Sequence, residues 1–216
     1  MSVSGRERRE RLARAQLYLI VPARPRRHDL RTLLEGALRG GVDMVQLREK
    51  QLRDEDVLAA ADVCRELCAR FGALFWINDR PDLAKAAGAD GVHVGQDDMP
   101  PGEARRILGE ERLIGLSTHT PEQLARALRE PIDEISVGPV FATPTKPGRR
   151  PAGLEYVRHA AHAARHRPWF AIGGIDRDTV GQVVAAGARR IAVVRAIVDA
   201  DDPERAAREL RAALPT

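Results

Sequence analysis

Three polar side chains at the end of a short apolar segment have the types and spacing of an anion-binding site. The segment VDMVQLREK carries Gln46, Arg48 and Lys50 at alternate positions. In an extended backbone, side chains two residues apart point to the same face, so these groups converge. Arginine offers a planar fork to phosphate oxygens, and lysine offers a compact charge. The segment therefore predicts a phosphate site, although on its own it is equally compatible with a strand that ends in a solvated, charged turn.

Two later apolar segments end in amide and carboxylate groups. FWINDRP places Asn78 and Asp79 after one of them, and GVHVGQDDM places Asp98 after the next. Mg2+ is commonly held by one or two carboxylates together with substrate phosphates and water, so Asp79 and Asp98 are predicted metal ligands beside Lys50. Each aspartate also precedes a Pro-containing helix start, where it could instead cap the helix. Their coincidence near Lys50 favours the metal.

The segment GLSTHT places Ser117 and His119 after a further apolar run. A nucleophilic serine would need an orienting acid or a G-x-S-x-G elbow, and the sequence shows neither beside this pair. We therefore predict that the hydroxyl groups bind substrate. His93, which alternates with valines in GVHVG, is predicted to be a core histidine with satisfied hydrogen bonds.

Two glycine-containing stretches complete the polar set. The long irregular stretch GPVFATPTKPGRRPAG is predicted to close over a phosphorylated substrate, and its polar groups are Thr143, Thr145, Lys146, Arg149 and Arg150. Further on, Gly173 and Gly174 lie in IGGI, and Val194 and Arg195 end the last apolar run. Backbone N–H groups in such loops commonly bind phosphate, which predicts a second anion site.

Apolar, β-branched runs alternate with amphipathic stretches, which indicates repeated βα units and a single-domain (β/α)8 TIM barrel. The turn GGVDMVQLR is echoed in AGADGVHVG and AGARRIAVV, and no G-x-G-x-x-G motif favours a dinucleotide-binding sheet. The predicted strands are Leu17–Val21, Met44–Leu47, Leu74–Ile77, Gly91–Val94, Leu113–Leu116, Glu134–Val137, Trp169–Ile172 and Arg190–Val193.

The barrel is predicted to span residues 17–216, preceded by a basic, solvated arm at residues 1–16. The net charge is only +4, from 35 basic and 31 acidic residues, and no aromatic residue is interleaved with the arginines of the arm. We therefore expect no nucleic-acid partner.

No membrane-length apolar run and no signal-peptide core occur, which predicts a cytoplasmic protein without a membrane partner. Cys64 and Cys68 lack a partner pair for zinc and are predicted to be reduced packing residues. The oligomeric state stays open, with a homo-oligomer among the alternatives.

From LYLIV to PERAARELR, the chain resembles the thiamine-phosphate synthase family. The matching motifs are QLREK, IND, GVHVGQDD, GLSTHT, GPVFATPTK and IGGI. The resemblance implies a (β/α)8 transferase that joins 4-amino-2-methyl-5-hydroxymethylpyrimidine diphosphate to a thiazole phosphate and releases diphosphate. Whether the thiazole is carboxylated stays open.

The resemblance also implies roles for individual residues. The pyrimidine diphosphate would be bound by Gln46, Arg48, Lys50, Asn78, Ser117 and Lys146. Mg2+ would be the cofactor, held by Asp79 and Asp98. The thiazole phosphate would be contacted by Thr143, Thr145, Gly174 and the backbone of Val194 and Arg195. The catalytic residues would be Arg48, Lys50, Lys146 and Ser117. Arg195 departs from the family pattern, in which serine often stands at this position.

The implied chemistry needs no side-chain nucleophile. An electron-rich aminopyrimidine stabilises a cation once diphosphate leaves, so the protein has mainly to neutralise the leaving group. One alternative is a related thiazole tautomerase with His119 as proton shuttle. Another is a non-catalytic binder of phosphorylated thiamine precursors. Tautomerisation gives the cationic set and the two aspartates no task, which argues against the first alternative. A non-catalytic binder would be expected to have lost a metal ligand or the cationic set, and the sequence keeps both, which favours the synthase.

Overall fold

Eight parallel strands form one closed barrel in which each strand pairs with the next and β8 pairs with β1. The computed structural model describes residues 3–143 and 150–215. The strands are β1 (Leu17–Val21), β2 (Met44–Leu47), β3 (Leu74–Asn78), β4 (Gly91–Val94), β5 (Leu113–Thr118), β6 (Glu134–Val137), β7 (Trp169–Ile172) and β8 (Ile191–Val193). The predicted TIM barrel is confirmed.

Helices connect the strands around the outside of the barrel. They are α1 (Gly5–Arg14), α2 (Leu30–Arg39), α3 (Asp54–Phe71), α4 (Pro81–Ala86), α5 (Pro101–Leu108), α6 (Pro121–Ala127), α7 (Gly153–Ala163), α8 (Val180–Ala185), α9 (Arg195–Val198) and α10 (Pro203–Ala212). The sequence pattern does not predict α1 or α9. None of the helices in the described ranges is long and apolar enough to span a membrane.

Three strands differ slightly from their predicted bounds. β3 extends to Asn78, β5 extends to Thr118, and β8 begins at Ile191 rather than Arg190. The extensions matter because they place Asn78 and Ser117 inside hydrogen-bonded strands. Both side chains are therefore held by the barrel itself and not by a loop.

The strands separate two layers of core. Large side chains such as Tyr18, Met44, Trp76 and Phe170 fill the barrel interior, and the alternate residues pack outward against the helices. Cys64 and Cys68 belong to the outer layer and are buried free thiols, as predicted. A barrel interior packed by side chains in its lower part leaves room for ligands only at its mouth.

The N-terminal segment is not the solvated arm that the arginines suggest. Residues Gly5–Arg14 form α1, and Leu12 is 1% exposed among the side chains that fill the barrel interior. Arg8 donates to Asp90 over 2.8 Å, and Arg9 donates to Asp133 over 2.9 Å. The helix therefore packs on the N-terminal end of the barrel, where the buried Arg8 and the partly exposed Arg9 both form ion pairs with the barrel.

The repeated αβ turns have a common construction. Gly41, Gly88 and Gly187 all have positive φ, which glycine adopts without the steric cost of a Cβ. After the first two of these turns, Asp43 and Asp90 accept hydrogen bonds from backbone N–H groups at the start of the preceding strand. The echo in the sequence thus corresponds to one turn used three times.

Candidate active site

The end of β2 lies beside a small cavity of about 80 Å3 at the mouth of the barrel. Gln46, Arg48 and Lys50 all line it, as their alternate spacing predicts. Gln46 is buried and donates from Nε2 to the Tyr18 hydroxyl over 2.5 Å. Lys50 is half-exposed, and its Nζ lies 2.9 Å from Oδ2 of Asp79. An amide and two cations therefore share one pocket with a carboxylate. We refer to it as the cationic cavity.

Asp79 and Asp98 line the same cavity and lie close enough to share a hydrogen bond. Burial alone raises the pKa of Asp79, but the hydrogen bonds with Lys50 and Asp98 outweigh it, and the pKa falls below its ordinary value. Burial and the hydrogen bond with Asp79 raise the pKa of Asp98. Two carboxylates that compete for one proton are a suitable pair for a cation, which would take the place of that proton.

Neither aspartate caps a helix. The N-cap residues of α4 and α5 are Arg80 and Pro100, and neither helix has a side-chain cap. Asp98 instead accepts from the backbone N–H of Gly95 over 2.8 Å. Asp79 is the only non-glycine residue with positive φ, at 62°, in the part of the chain that the structure describes. The alternative reading of these residues as caps is therefore wrong, and the strained backbone of Asp79 is typical of a functional position.

The pair fits the coordination habits of Mg2+. No group of three or more His, Cys, Asp or Glu side chains that could hold a metal occurs within residues 3–143 and 150–215. Mg2+ does not need one, because it commonly uses one or two carboxylates and completes its shell with phosphate oxygens and water. The donor set at Asp79 and Asp98 is therefore suited to a metal that arrives with a phosphorylated substrate.

Asn78 adds an unused hydrogen-bond donor to this cavity. Its Nδ2 is buried and has no protein partner. Leaving a buried amide N–H unsatisfied is costly, so such groups in native proteins usually meet a ligand or water. Asn78 is thus available to an acceptor on a substrate.

Ser117 lies at the centre of a buried polar chain. Its Oγ is 2.8 Å from Nε2 of His93, and Nδ1 of His93 is 2.9 Å from Oε2 of Glu134. His119 points elsewhere, with Nδ1 2.5 Å from the carbonyl oxygen of Gly138. The sequence argument that no acid orients the serine is correct for His119 but misses this chain. The sequence feature that could have revealed this chain is Glu134, a charged residue in the buried strand EISV, two residues before Ser136.

A second cavity of about 310 Å3 lies at the ends of β5 to β8, and we call it the glycine-lined cavity. Gly173 and Gly174, with φ of 103° and 66°, line it together with Val194 and the exposed Arg195. Arg195 begins α9, which the sequence pattern does not predict. Thr143 also lines this cavity. The predicted contacts Thr145 and Lys146, and Arg149 beside them, lie outside the described residues.

The two cavities adjoin each other. Ser117, Ser136, Ile172 and Val194 line both of them. A substrate in one cavity can therefore reach a substrate in the other across these four residues. All predicted site residues within the described ranges line one or both of these two cavities.

Comparisons with known proteins identify a family that matches most of the chain. The sequence model of thiamine monophosphate synthase matches residues 17–197. A thiamine-phosphate synthase from Acidothermus cellulolyticus is 54% identical over 204 residues, which cover 94% of this chain and 96% of that protein. The chain belongs to the thiamine-phosphate synthase family. It is therefore a transferase of thiamine biosynthesis.

Other members of the family agree in sequence and in structure. A thiamine-phosphate synthase from Thermus thermophilus is 56% identical over 198 residues, covering 91% of this chain and 95% of that protein. The solved structure of a thiamine phosphate pyrophosphorylase from Pyrococcus furiosus is 33% identical, covers 95% of this chain and 96% of its own, and superposes with a TM-score of 0.85. The likeness extends over nearly the whole barrel.

Proposed function

We propose that this thiamine-phosphate synthase family member joins 4-amino-2-methyl-5-hydroxymethylpyrimidine diphosphate to a thiazole phosphate, giving thiamine phosphate and diphosphate. The observation that supports this reaction best is the pair of adjoining cavities, one cationic and one lined by glycines, with Ser117, Ser136, Ile172 and Val194 common to both. Two phosphorylated substrates that react with each other need such a pair of sites with a shared wall.

In this proposal the diphosphate occupies the cationic cavity. Arg48 and Lys50 neutralise its oxygens, and the unpartnered Nδ2 of Asn78 donates to the same substrate. Asp79 and Asp98 would hold Mg2+, which supplies further positive charge to the diphosphate when bound. Lys50 already pairs with Asp79 over 2.9 Å, so its charge lies beside the carboxylates that would hold the metal.

The thiazole phosphate occupies the glycine-lined cavity. Gly174 has φ of 66°, and an added Cβ would lie 2.7 Å from Cβ of Phe141, so only glycine allows this close approach of the β7–α8 turn to the loop after β6. Its backbone N–H and those at the start of α9, at Val194 and Arg195, are the donors for the phosphate group. Thr143 lines the same cavity, and Thr145 and Lys146 are included on the resemblance alone.

Bond exchange takes place where the cavities meet. The C–O bond of the pyrimidine diphosphate breaks with both electrons leaving on the diphosphate, and the lone pair of the thiazole nitrogen then forms the C–N bond. No proton has to be removed by the enzyme, so no general base is needed. Arg48 and Lys50 stabilise the negative charge on the departing diphosphate, in a site from which the bound substrates exclude water.

The direct test is to mix the purified protein with both substrates and Mg2+ and to measure thiamine phosphate and diphosphate. Equal amounts of the two products, formed only when both substrates and the metal are present, are expected. Conversion of the thiazole substrate alone, without diphosphate or metal, would instead identify a tautomerase. Binding of both substrates without any turnover would identify a non-catalytic binder.

A further inference from the structure

A buried carboxylate below the mouth of the barrel has no part in the proposed bond exchange. Glu134, the first residue of β6, is 0% exposed. Its Oε2 lies 2.9 Å from Nδ1 of His93, and its Oε1 accepts from Oγ of Ser136 over 3.0 Å. Burying a carboxylate costs free energy unless hydrogen bonds satisfy it, and here the contacts with His93 and Ser136 offset that cost.

Gly115 provides the space for the contact between His93 and Glu134. In the strand register, Gly115 of β5 lies between His93 of β4 and Glu134 of β6. A Cβ on Gly115 would overlap both Nδ1 of His93 and Oε2 of Glu134. The side chains therefore meet across an intervening strand only because that strand carries glycine at this position.

The chain leads from Glu134 to the place where the two substrates would react. His93 holds the Oγ of Ser117 at 2.8 Å, and Ser117 lines both the cationic and the glycine-lined cavity. The carboxylate accepts from Nδ1 of His93, which leaves Nε2 as an acceptor for the Ser117 hydroxyl proton. The lone pairs of Ser117 then face the substrates.

The carboxylate also leaves a negative charge in the barrel. Within residues 3–143 and 150–215, no lysine or arginine forms an ion pair with Glu134, whose ionic partner there is His93. Its field is felt by Tyr18, because burial first and the Glu134 charge second raise the pKa of that phenol well above its ordinary value. In a site of low dielectric, a fixed negative charge stabilises positive charge that develops nearby.

We propose that Glu134 is a positioning residue for the synthase reaction, acting through His93 on Ser117 so that an acceptor and a negative field face the pyrimidine as its C–O bond breaks. The inference rests on the proposed function, since it assigns Glu134 to the cationic stage of that reaction. Ser117 touches the substrate, whereas Glu134 and His93 act through it. Positive charge that spreads onto the pyrimidine and its amino group would be stabilised more than the neutral ring, which lowers the barrier to the chemical step.

The test compares Glu134→Gln, Ser117→Ala and the double variant in the thiamine phosphate assay with Mg2+. We expect kcat of Glu134→Gln to fall about 10- to 100-fold, the range for a lost hydrogen bond to a charged group, with unchanged KM for both substrates. The double variant should be no slower than the slower single variant, because both remove the same interaction. Full kcat in Glu134→Gln, or independent effects that multiply in the double variant, would overturn the proposal.

Tyr156→Phe is the matched control. It also removes a buried hydrogen bond, from the Tyr156 hydroxyl to Oγ1 of Thr118 over 2.7 Å, but on the helix-facing side of β5. It should lower thermal stability and leave kcat unchanged. Wild-type turnover alone tests the proposed function, whereas the ratio of variant to wild-type kcat tests the role of Glu134.

A second measurement needs no Glu134 variant and therefore covers the case in which Glu134→Gln does not fold. Nitrogen-15 NMR of the histidine-labelled wild-type protein, with the His93 signals assigned by His93→Gln, reports which ring nitrogen carries the proton. We expect a protonated Nδ1 and an unprotonated Nε2. A proton on Nε2 would overturn the proposal, because Ser117 would then be an acceptor for His93 and not for the substrate.

Discussion

Replacing Gly174 with alanine would test the glycine-lined cavity at the point where the structure allows least freedom. Gly174 has φ of 66°, and an added Cβ would lie 2.7 Å from Cβ of Phe141 and 2.9 Å from the carbonyl oxygen of Ala142. Ordinary van der Waals contacts begin at 3.4 Å, so the β7–α8 turn and the loop after β6 must separate by 0.7 Å or more along the shorter contact.

Two costs follow from this geometry. A non-glycine residue in the left-handed region loses about 1–2 kcal/mol, which lowers Tm by about 2–8 °C in a domain of this size. The displacement of the turn carries the proposed phosphate donors with it. Because a misplacement of about 1 Å can cost about 100-fold in rate, we expect kcat/KM for the thiazole phosphate to fall about 10- to 100-fold. The KM for the pyrimidine diphosphate should not change.

Gly72→Ala separates strain from displacement. Gly72 ends α3 with φ of 74°, and a Cβ built there meets nothing within 4 Å. This variant should lose a similar amount of stability and keep all kinetic constants. Both variants are measured by thermal unfolding and by initial rates of thiamine phosphate formation with each substrate varied. Equal kinetic constants for Gly174→Ala and Gly72→Ala would refute the assignment of the turn to phosphate binding.

Four further outcomes are expected. Asp98→Ala should abolish Mg2+-dependent release of diphosphate while thiazole phosphate binding, followed by calorimetry, stays largely intact; unchanged turnover would remove Asp98 from the metal site. Lys50→Ala should lower the single-turnover rate of C–N bond formation about 10- to 100-fold, the range for a charge-assisted hydrogen bond, and the exposed Lys85→Ala should not. Leu12→Ala, at 1% exposure, should lower the free energy of unfolding in urea by about 2–5 kcal/mol without changing KM; a loss near zero would restore the solvated arm. Burial raises the pKa of Cys64 to about 12, so at pH 8 its thiolate is scarce and a thiol reagent should label it only after unfolding; rapid native labelling would contradict the buried position.

Local patterns in the sequence were sufficient for the barrel and for the position of many polar side chains at its mouth. The alternation of Gln46, Arg48 and Lys50 depends only on strand geometry, and the structure does put these side chains in one cavity. The meeting of Asp79 with Asp98 follows once β3 and β4 are neighbours, as the order of βα units in a barrel requires. Such positions can be predicted because each involves residues of one strand or of two neighbouring strands.

Helix α1 shows what such patterns miss. Its sequence GRERRERLAR is mostly arginine and glutamate, and only Leu12 is a large apolar residue, so no amphipathic stripe marks a packed face. The partners that hold it, Asp90 and Asp133, lie far along the chain and stand at the starts of β4 and β6. The helix is stabilised by tertiary ion pairs and a single buried leucine, none of which a local periodicity can register.

The chain from Glu134 through His93 to Ser117 was missed for a different reason. A search for catalytic groups considers the side chains that are present, whereas the contact between His93 and Glu134 exists because Gly115 has none. Glycine is unfavourable inside a buried strand and often marks a close approach of other groups. Gly115, in the middle of β5 and two residues before Ser117, was therefore a second signal in the sequence, beside the glutamate of EISV. Because Gly115 has no side chain, Glu134 of β6 can reach across β5 to His93, and through His93 its charge can influence the Ser117 hydroxyl at the mouth of the barrel.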